Sequence, residues 1–249
     1  HLYGLMANVK SISNKFPKIA IYEDAAHCFE GSRDDMQPGS CSNGAMFSFY
    51  ATKNISCGEG GALISNDKNL IEYAKTQRLH GMSKSAIDRY TSTSYVHWDV
   101  EDPGFKFNLP DVLAALLPEQ ISNSSQKIRE RARVYKIYID LMANLLEQGQ
   151  VRVQAIPEEA THAHHLFAIA VDNALRDRLL KYFGARGIGV AVNFRDIPSL
   201  SYYADYDRPI NAADWGKSTI SLPFYPEISE TDIKETVDVL LDFFRNEVN

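Results

Sequence analysis

At 249 residues, with 45% hydrophobic and 23% charged side chains, the chain has a globular composition and ample material for a core. A net charge of −6 and an isoelectric point near 5.7 argue against a sequence-independent grip on nucleic acid, which needs a basic face. No apolar run approaches the ~20 residues of a membrane span, and three cysteines without a C-x-x-C read as reduced thiols of a cytoplasmic protein.

In chain order, residues 5–16 read as a short helix leading through Pro17 into "KIAIYED" (18–24). That run is apolar nearly throughout, the pattern of a strand buried on both faces of a parallel sheet. "AMFSFYAT" (45–52) and "GALISND" (61–67) are further strands, and 68–81 is a helix that Gly81 closes. Residues 82–104, rich in Ser, Tyr and Asp, read as a long loop. With Arg89, Tyr90 and Trp98 it is either a substrate cover or plain surface.

Helix resumes over 109–121, with Pro110 suited to its first turn. The longest helix is expected at 125–149, with Ile128, Ala132, Tyr135, Ile139, Met142 and Leu146 on one face. Then follow strand 165–172, helix 173–187, strand 188–194, an irregular stretch and strand 219–226. A last helix opens with the capping box "SETD" and buries Ile233, Val237, Leu240 and Phe244. The alternation indicates an α/β fold, divided into domains 1–124 and 125–249.

The stretch "AMFSFYATKNISCGEGGALIS" (45–65) ends an apolar strand in Lys53 with glycines behind it. A Walker loop needs its glycines ahead of the lysine, and "GEGG" is followed by a strand, not by the helix of a dinucleotide fingerprint. The only G-K-S, at 216–218, has Asn211 where the first glycine belongs. An amine that captures a carbonyl is the other reading. An aldehyde cofactor such as pyridoxal phosphate needs a lysine, an acid facing its ring nitrogen and donors for its phosphate. "YEDAAH" offers Asp24 at the carboxyl end of a strand, where ligands of open α/β sheets gather, with His27 one turn on. Ser48 is a candidate phosphate donor. Each residue also has an ordinary reading: solvated charge, turn cap, backbone-satisfying hydroxyl.

Together, "IYEDAAHCFEG" and "FSFYATKNISCGEGGALISND" closely resemble the DegT/DnrJ/EryC1/StrS sugar aminotransferases, whose pattern runs E-D-x-A-H, then S-F-x-x-x-K-x-x-x-x-G-E-G-G. The resemblance continues through "RLHGM", "GFKFNLPDVLAALLPEQI", "HAHHLFAIAV", "RGIGVAVNFR" and "ISLPFYPEIS". It implies the C-terminal portion of a fold-type I pyridoxal-phosphate transferase: part of the mostly parallel large-domain sheet (1–124) and a smaller α+β domain (125–249). By position it implies that Lys53 is the catalytic lysine that carries the cofactor, that Asp24 pairs with the ring nitrogen, that His27 lies beside the ring and that Ser48 binds the phosphate. Lys106 and Asn108 would reach the phosphate of the neighbouring subunit's cofactor in a homodimer with shared active sites. Asn193 and Arg195 would line the substrate side, where many relatives place His at the position of Asn193. The implied reaction moves an amino group, with glutamate as donor, to a nucleotide-linked keto sugar in polysaccharide biosynthesis. The dehydratase branch, in which the lysine is replaced, is disfavoured.

Relatives carry a further segment ahead of the counterpart of "HLYG", supplying the start of the sheet, a phosphate loop and a ring-stacking aromatic. The chain alone is therefore expected to bind the cofactor poorly, through truncation, partial numbering or a separate chain that supplies that half. The rival expectation is a catalytically incomplete family member serving as a subunit or interaction protein. "HAHH" (162–165) lacks matching ligands for a metal site; His165 is expected to begin a strand and His162 or His164 to face solvent or the site's mouth.

Overall fold

The computed structural model describes residues 1–82 and 97–248. The chain divides into two compact units: 1–124 with 159–163, and 125–158 with 164–249. A cut at 124/125 does not anticipate the return of 159–163 to the first unit. Arg89 and Tyr90 lie outside the described residues; Trp98 is exposed.

In the first unit, β1 (Tyr22–Asp24) pairs parallel with β3 (Gly44–Ser48), which pairs antiparallel with β4 (Gly61–Ile64). The order β1-β3-β4 leaves β1 paired on one side only among the described residues. This corrects the expectation of a strand 18–24 buried on both faces: Ile19 is 63% and Tyr22 52% exposed. Among the described residues β1 has a hydrogen-bonded neighbour, β3, on one edge only, and its outward side chains keep contact with solvent. Glu23, the middle residue, is buried, and its Oε1 accepts from Gly39 N (2.7 Å) and Ser42 Oγ (2.5 Å). Those bonds fasten the 39–42 loop beneath the strand. A two-stranded ribbon, β2 (Ser32–Arg33) with β6 (Ala160–Thr161), holds the returning segment to this unit.

Helix α1 (Val9–Lys15) is capped by Asn8, whose Oδ1 accepts from Ser11 N; residues 5–8 precede it as irregular chain. Helix α2 (Lys68–Gln77) is capped by Asp67 and stops short of the expected Gly81, because His80 (φ 61°) and Gly81 (φ 69°) both turn left-handed. The expected helix 109–121 is two: α3 (Asp111–Ala114) and α4 (Leu117–Ser122). Pro118 in the first turn of α4 has no N–H to continue the ladder.

The second unit is built on an antiparallel sheet, β5 (Arg152–Val153), β7 (Phe167–Ala170) and β8 (Thr219–Leu222), in that order. β7 and β8 are buried throughout. Packed with them are α5 (Ser124–Leu141), α6 (Ala143–Glu147), α7 (Asn173–Ala185) and α8 (Glu230–Glu247). The long helix breaks at Met142, and its buried face is Val134, Tyr138, Met142 and Leu145. Met142 is shared with the expected stripe, but elsewhere the face lies one residue N-terminal of it, so Tyr135, Ile139 and Leu146 flank the core instead of centring it. Buried Arg131 shares the face, donating from Nη1 to His164 O at 3.2 Å and covering the Phe224 ring.

The α8 face is as expected, with Thr236 and Phe243 added, and Ser229 Oγ accepts from Asp232 N at its start. The expected strand 188–194 shrinks to one bridge, Ala191 with Ser221. Gly187 and Gly189 weaken extended pairing there, and Pro223 ends β8. His162, His164 and His165 are all buried, which overturns the solvent-facing half of that expectation, and the strand expected to begin at His165 begins at Phe167. His164 packs its ring on Tyr135, 4.8 Å between centroids. No group of three metal-capable side chains forms among the described residues, and none of their helices is long and apolar enough to cross a membrane.

Candidate active site

Asp24 ends β1, where the parallel pairing with β3 gives out: its partner is Met46, whose carbonyl accepts from Ala25 N at 2.8 Å. The Asp24 carboxylate is exposed, and Oδ1 caps the following turn by accepting from Ala26 N at 3.0 Å. That turn carries the chain to His27, whose Nδ1 accepts from Tyr3 N at 3.3 Å. A ring nitrogen that accepts from an amide carries no proton, so in the neutral ring the proton sits on Nε2.

Lys53 lies in the connection from β3 to β4. Its amide donates to Tyr50 O, Ala51 N donates to Gly58 O, and Phe49 pairs with both Cys57 and Gly60. These bonds make a closed loop instead of a floppy one. Phe49, Ile55 and Cys57 plunge into a small core with Leu117, flanked by Phe29, Phe47 and Leu109. The amine is thus held by anchors on either side. Gly58 (φ 91°) supplies the left-handed turn, and Gly61 allows close approach, since a Cβ there would stand 2.8 Å from Phe47 O. Ser48, last in β3, accepts from Tyr50 N at 3.3 Å, which leaves its hydroxyl proton for another acceptor.

Electrostatics tie three of these residues together. Burial and the Lys53 ammonium push His27 down to about 4, against the pull of the Asp24 carboxylate. Burial likewise lowers the Lys53 amine, again opposed by Asp24. Lys53, Asp24 and His27 therefore share one electrostatic neighbourhood at the carboxyl end of β1. The arrangement brings together an amine of lowered basicity, a carboxylate and an imidazole that stays neutral at pH 7. Lys106 and Asn108 lie elsewhere in the first unit, exposed on a segment bonded to residues 77–80, with Lys106 bridged to Leu79 and Phe105 stacked on Phe107. Asn193 is half-buried and Arg195 exposed, donating to Ser199 O at 3.2 Å; both belong to the second unit.

Two anchors of the lysine loop carry no motif signal. Asn54 Nδ2 donates to Glu30 Oε2 (3.1 Å) and Ala163 O (2.8 Å). Gln120 clasps Ser56, accepting from its N–H at 3.1 Å and donating to its carbonyl at 2.7 Å. Asn54 was readable only as the neighbour of Lys53, and Gln120 only as a polar residue in an apolar helix.

The sequence profile of the DegT/DnrJ/EryC1/StrS aminotransferase family matches residues 1–241. The chain belongs to that family. The spore coat polysaccharide biosynthesis protein SpsC of Bacillus subtilis (strain 168) is 32% identical over 246 residues, covering 90% of this chain and 60% of SpsC. Among solved structures, the aminotransferase TlmJ of Streptoalloteichus hindustanus superposes with TM-score 0.89 at 19% identity, covering 100% of this chain and 65% of TlmJ. A DegT/DnrJ/EryC1/StrS aminotransferase from Brucella abortus gives 0.79 at 25% identity, covering 97% and 62%. The chain has the fold-type I architecture of this family and spans about three-fifths of the length of these relatives.

Proposed function

We propose that the chain serves a pyridoxal-phosphate-dependent aminotransferase acting on a nucleotide-linked keto sugar, with glutamate as amino donor. One observation carries the reading: an amine, a carboxylate and a neutral imidazole share an electrostatic neighbourhood beyond the end of a parallel strand pair. The residues present fit the group. Pyridoxal phosphate supplies an aldehyde for the amine and a ring that, protonated, withdraws electrons from the reacting carbon.

Lys53 Nζ would hold the cofactor and, once released, accept the proton from the donor's α-carbon and return it one position along. Its depressed basicity suits that work, because a free-base fraction is what captures a carbonyl and takes a proton. Asp24 would keep the ring nitrogen protonated, as an opposite charge within ~4–6 Å favours the cationic form. His27, neutral with its proton on Nε2, would face the ring as a donor, and Ser48 would donate to the phosphate. Lys106 and Asn108 are assigned to the phosphate of a partner subunit's cofactor in a cytoplasmic homodimer, and Asn193 and Arg195 to the sugar side.

The test is borohydride reduction of the chain mixed with pyridoxal phosphate, followed by peptide mass mapping. The label is expected on the Lys53 peptide and is lost in Lys53→Ala. Asp24→Asn should weaken retention of the cofactor while shifting the amine's titration further down, since the carboxylate is what opposes that shift. A Lys53 peptide that stays unlabelled at saturating aldehyde would instead favour a subunit without the chemistry.

A further inference from the structure

Glu23, next to Asp24 in β1, is a buried carboxylate that the chemistry above does not use. Its side chain is 1% exposed, and three donors converge on it: Gly39 N and Ser42 Oγ on Oε1, and His1 Nε2 on Oε2 at 2.7 Å. The proton of that last bond can be placed. His1 Nδ1 accepts from Ala7 N at 3.0 Å and so carries no proton, which leaves Nε2–H to donate to Glu23. A carboxylate taken out of water is costly unless its oxygens are satisfied, and here both are. Hydrogen bonds to an ionised acceptor are the strong ones, so Glu23 anchors firmly whatever His1 belongs to.

His1 belongs to a strap, residues 1–7, that is bonded to the carboxyl end of β1 and to the turn beyond it. Its backbone nitrogen donates to Asp24 O at 3.1 Å, and Gly4 O accepts from Ala163 N at 2.8 Å and from Cys28 Sγ at 3.4 Å. Between them Tyr3, fully buried, has a left-handed φ of 62°, which a bulky side chain rarely adopts. Such a backbone persists only where its surroundings over-determine it. The amide of that strained residue is the one that donates to His27 Nδ1. Two imidazoles, His1 and His27, thus have Nδ1 capped by amides of one strap, and Glu23 holds the strap through the first of them.

We infer that Glu23 is a positioning residue: acting through His1, it fixes the Tyr3 amide and thereby keeps His27 in its Nε2–H form. The inference rests on the reading of His27 as a donor beside the cofactor ring for its catalytic meaning, but its readout, the tautomer, needs no cofactor. Long-range proton–nitrogen NMR correlation of the histidine rings in the full chain reads it, with His27→Gln assigning the signal. At pH 7 the parent should show His27 as a single Nε2–H species, since burial and the Lys53 ammonium keep the ring neutral there. Glu23→Gln keeps the shape and an acceptor for Gly39 and Ser42 but turns an amide N–H toward the His1 donor. The strap is then released, and His27 should show both tautomers. His1→Ala should do the same, and it decides the matter if Glu23→Gln does not fold. His1→Gln, whose amide can again donate to Glu23, should restore the single form. Ser42→Ala removes a Glu23 contact on the loop side only; it should lower the urea midpoint and leave His27 unchanged, whereas a merely structural Glu23 would make the two sides equivalent. A single form that persists in folded Glu23→Gln or His1→Ala, no recovery in His1→Gln, or a mixture in Ser42→Ala overturns the assignment. A Lys53 left unlabelled by the aldehyde would sink the cofactor reading and leave the tautomer result standing.

Discussion

Gln120 makes the most exacting test of how the lysine loop is held. Its amide accepts from Ser56 N at 3.1 Å and donates from Nε2 to Ser56 O (2.7 Å) and Leu116 O (2.6 Å). Ser56 lies between buried Ile55 and Cys57 and is itself half-buried, so its backbone is only partly open to water. Gln120→Ala strands one donor and one acceptor there; at about 1 kcal/mol for each of these half-buried groups, the expected loss is about 2 kcal/mol. Gln120→Glu keeps the acceptor for Ser56 N but turns the donor into an anion facing two carbonyls. It should be at least as damaging at pH 7. The new carboxyl would titrate above the ordinary ~4.3, because only its protonated form donates back to Ser56 O. With the folded-state value raised, stability is regained as pH falls through it. Urea midpoints at pH 7 and pH 4.5, each against the parent chain, read both effects at constant slope. Exchange of the Ser56 and Cys57 amides reports the local opening. A loss under about 0.5 kcal/mol in Gln120→Ala, or a Gln120→Glu deficit that grows on acidification, would refute the clasp.

Gly58 and Gly61 should respond differently to side chains. Gly58→Ala meets no atom within 4 Å but pays for a left-handed φ of 91°, about 1–2 kcal/mol, and Gly58→Asn should cost less because Asn tolerates that region. Gly61→Ala and Gly61→Asn should cost alike, because both drive a Cβ toward Phe47 O; urea midpoints of the four variants decide it. His164 sets a pH dependence. Burial and Arg131 hold it at about 4 against 6.5 unfolded, so the unfolded chain takes up protons first and stability falls as pH drops from about 6.5 toward 4. His164→Asn, compatible with the φ of 48° at that position, should flatten the urea midpoint over that interval; an equally steep decline would rule the residue out as a source.

What could be read from the sequence divides along physical lines. Helices with strong caps and periodic faces were legible: Ser229 caps the helix that the "SETD" box announces, while the caps Asp67 and Asp172 emerge from the structure. So were the strand that ends at Asp24 and the glycine-backed loop bearing Lys53, because turn chemistry there is local. The extent of β1 was not legible, since an apolar run does not reveal how many neighbours its strand will have. Strand 188–194 failed for a related reason: pairing needs a partner edge, and β8 offers one bridge. The rotated face of α5 turns on Arg131, a residue that polarity alone assigns to solvent but that a backbone carbonyl and the Phe224 ring draw inward. The Gln120 clasp was invisible because its partner Ser56 lies 64 residues away.

The opposition at Lys53 explains why its loop needs so many anchors. Burial lowers the basicity of the amine and Asp24 raises it, and the balance falls on the side of burial. Burial in turn depends on Phe49, Ile55 and Cys57 staying inside, which depends on the clasp at Ser56 and the Asn54 bonds to Glu30 and Ala163. A loosened loop would let water reach Nζ, and with less desolvation the Asp24 attraction would raise the amine's basicity again. Residues remote from Lys53 therefore set the basicity of its amine. Anchoring the loop through the third of its residues that follow the lysine, by an amide bonded to both sides of one peptide unit, fixes position without adding a charge that would upset that balance.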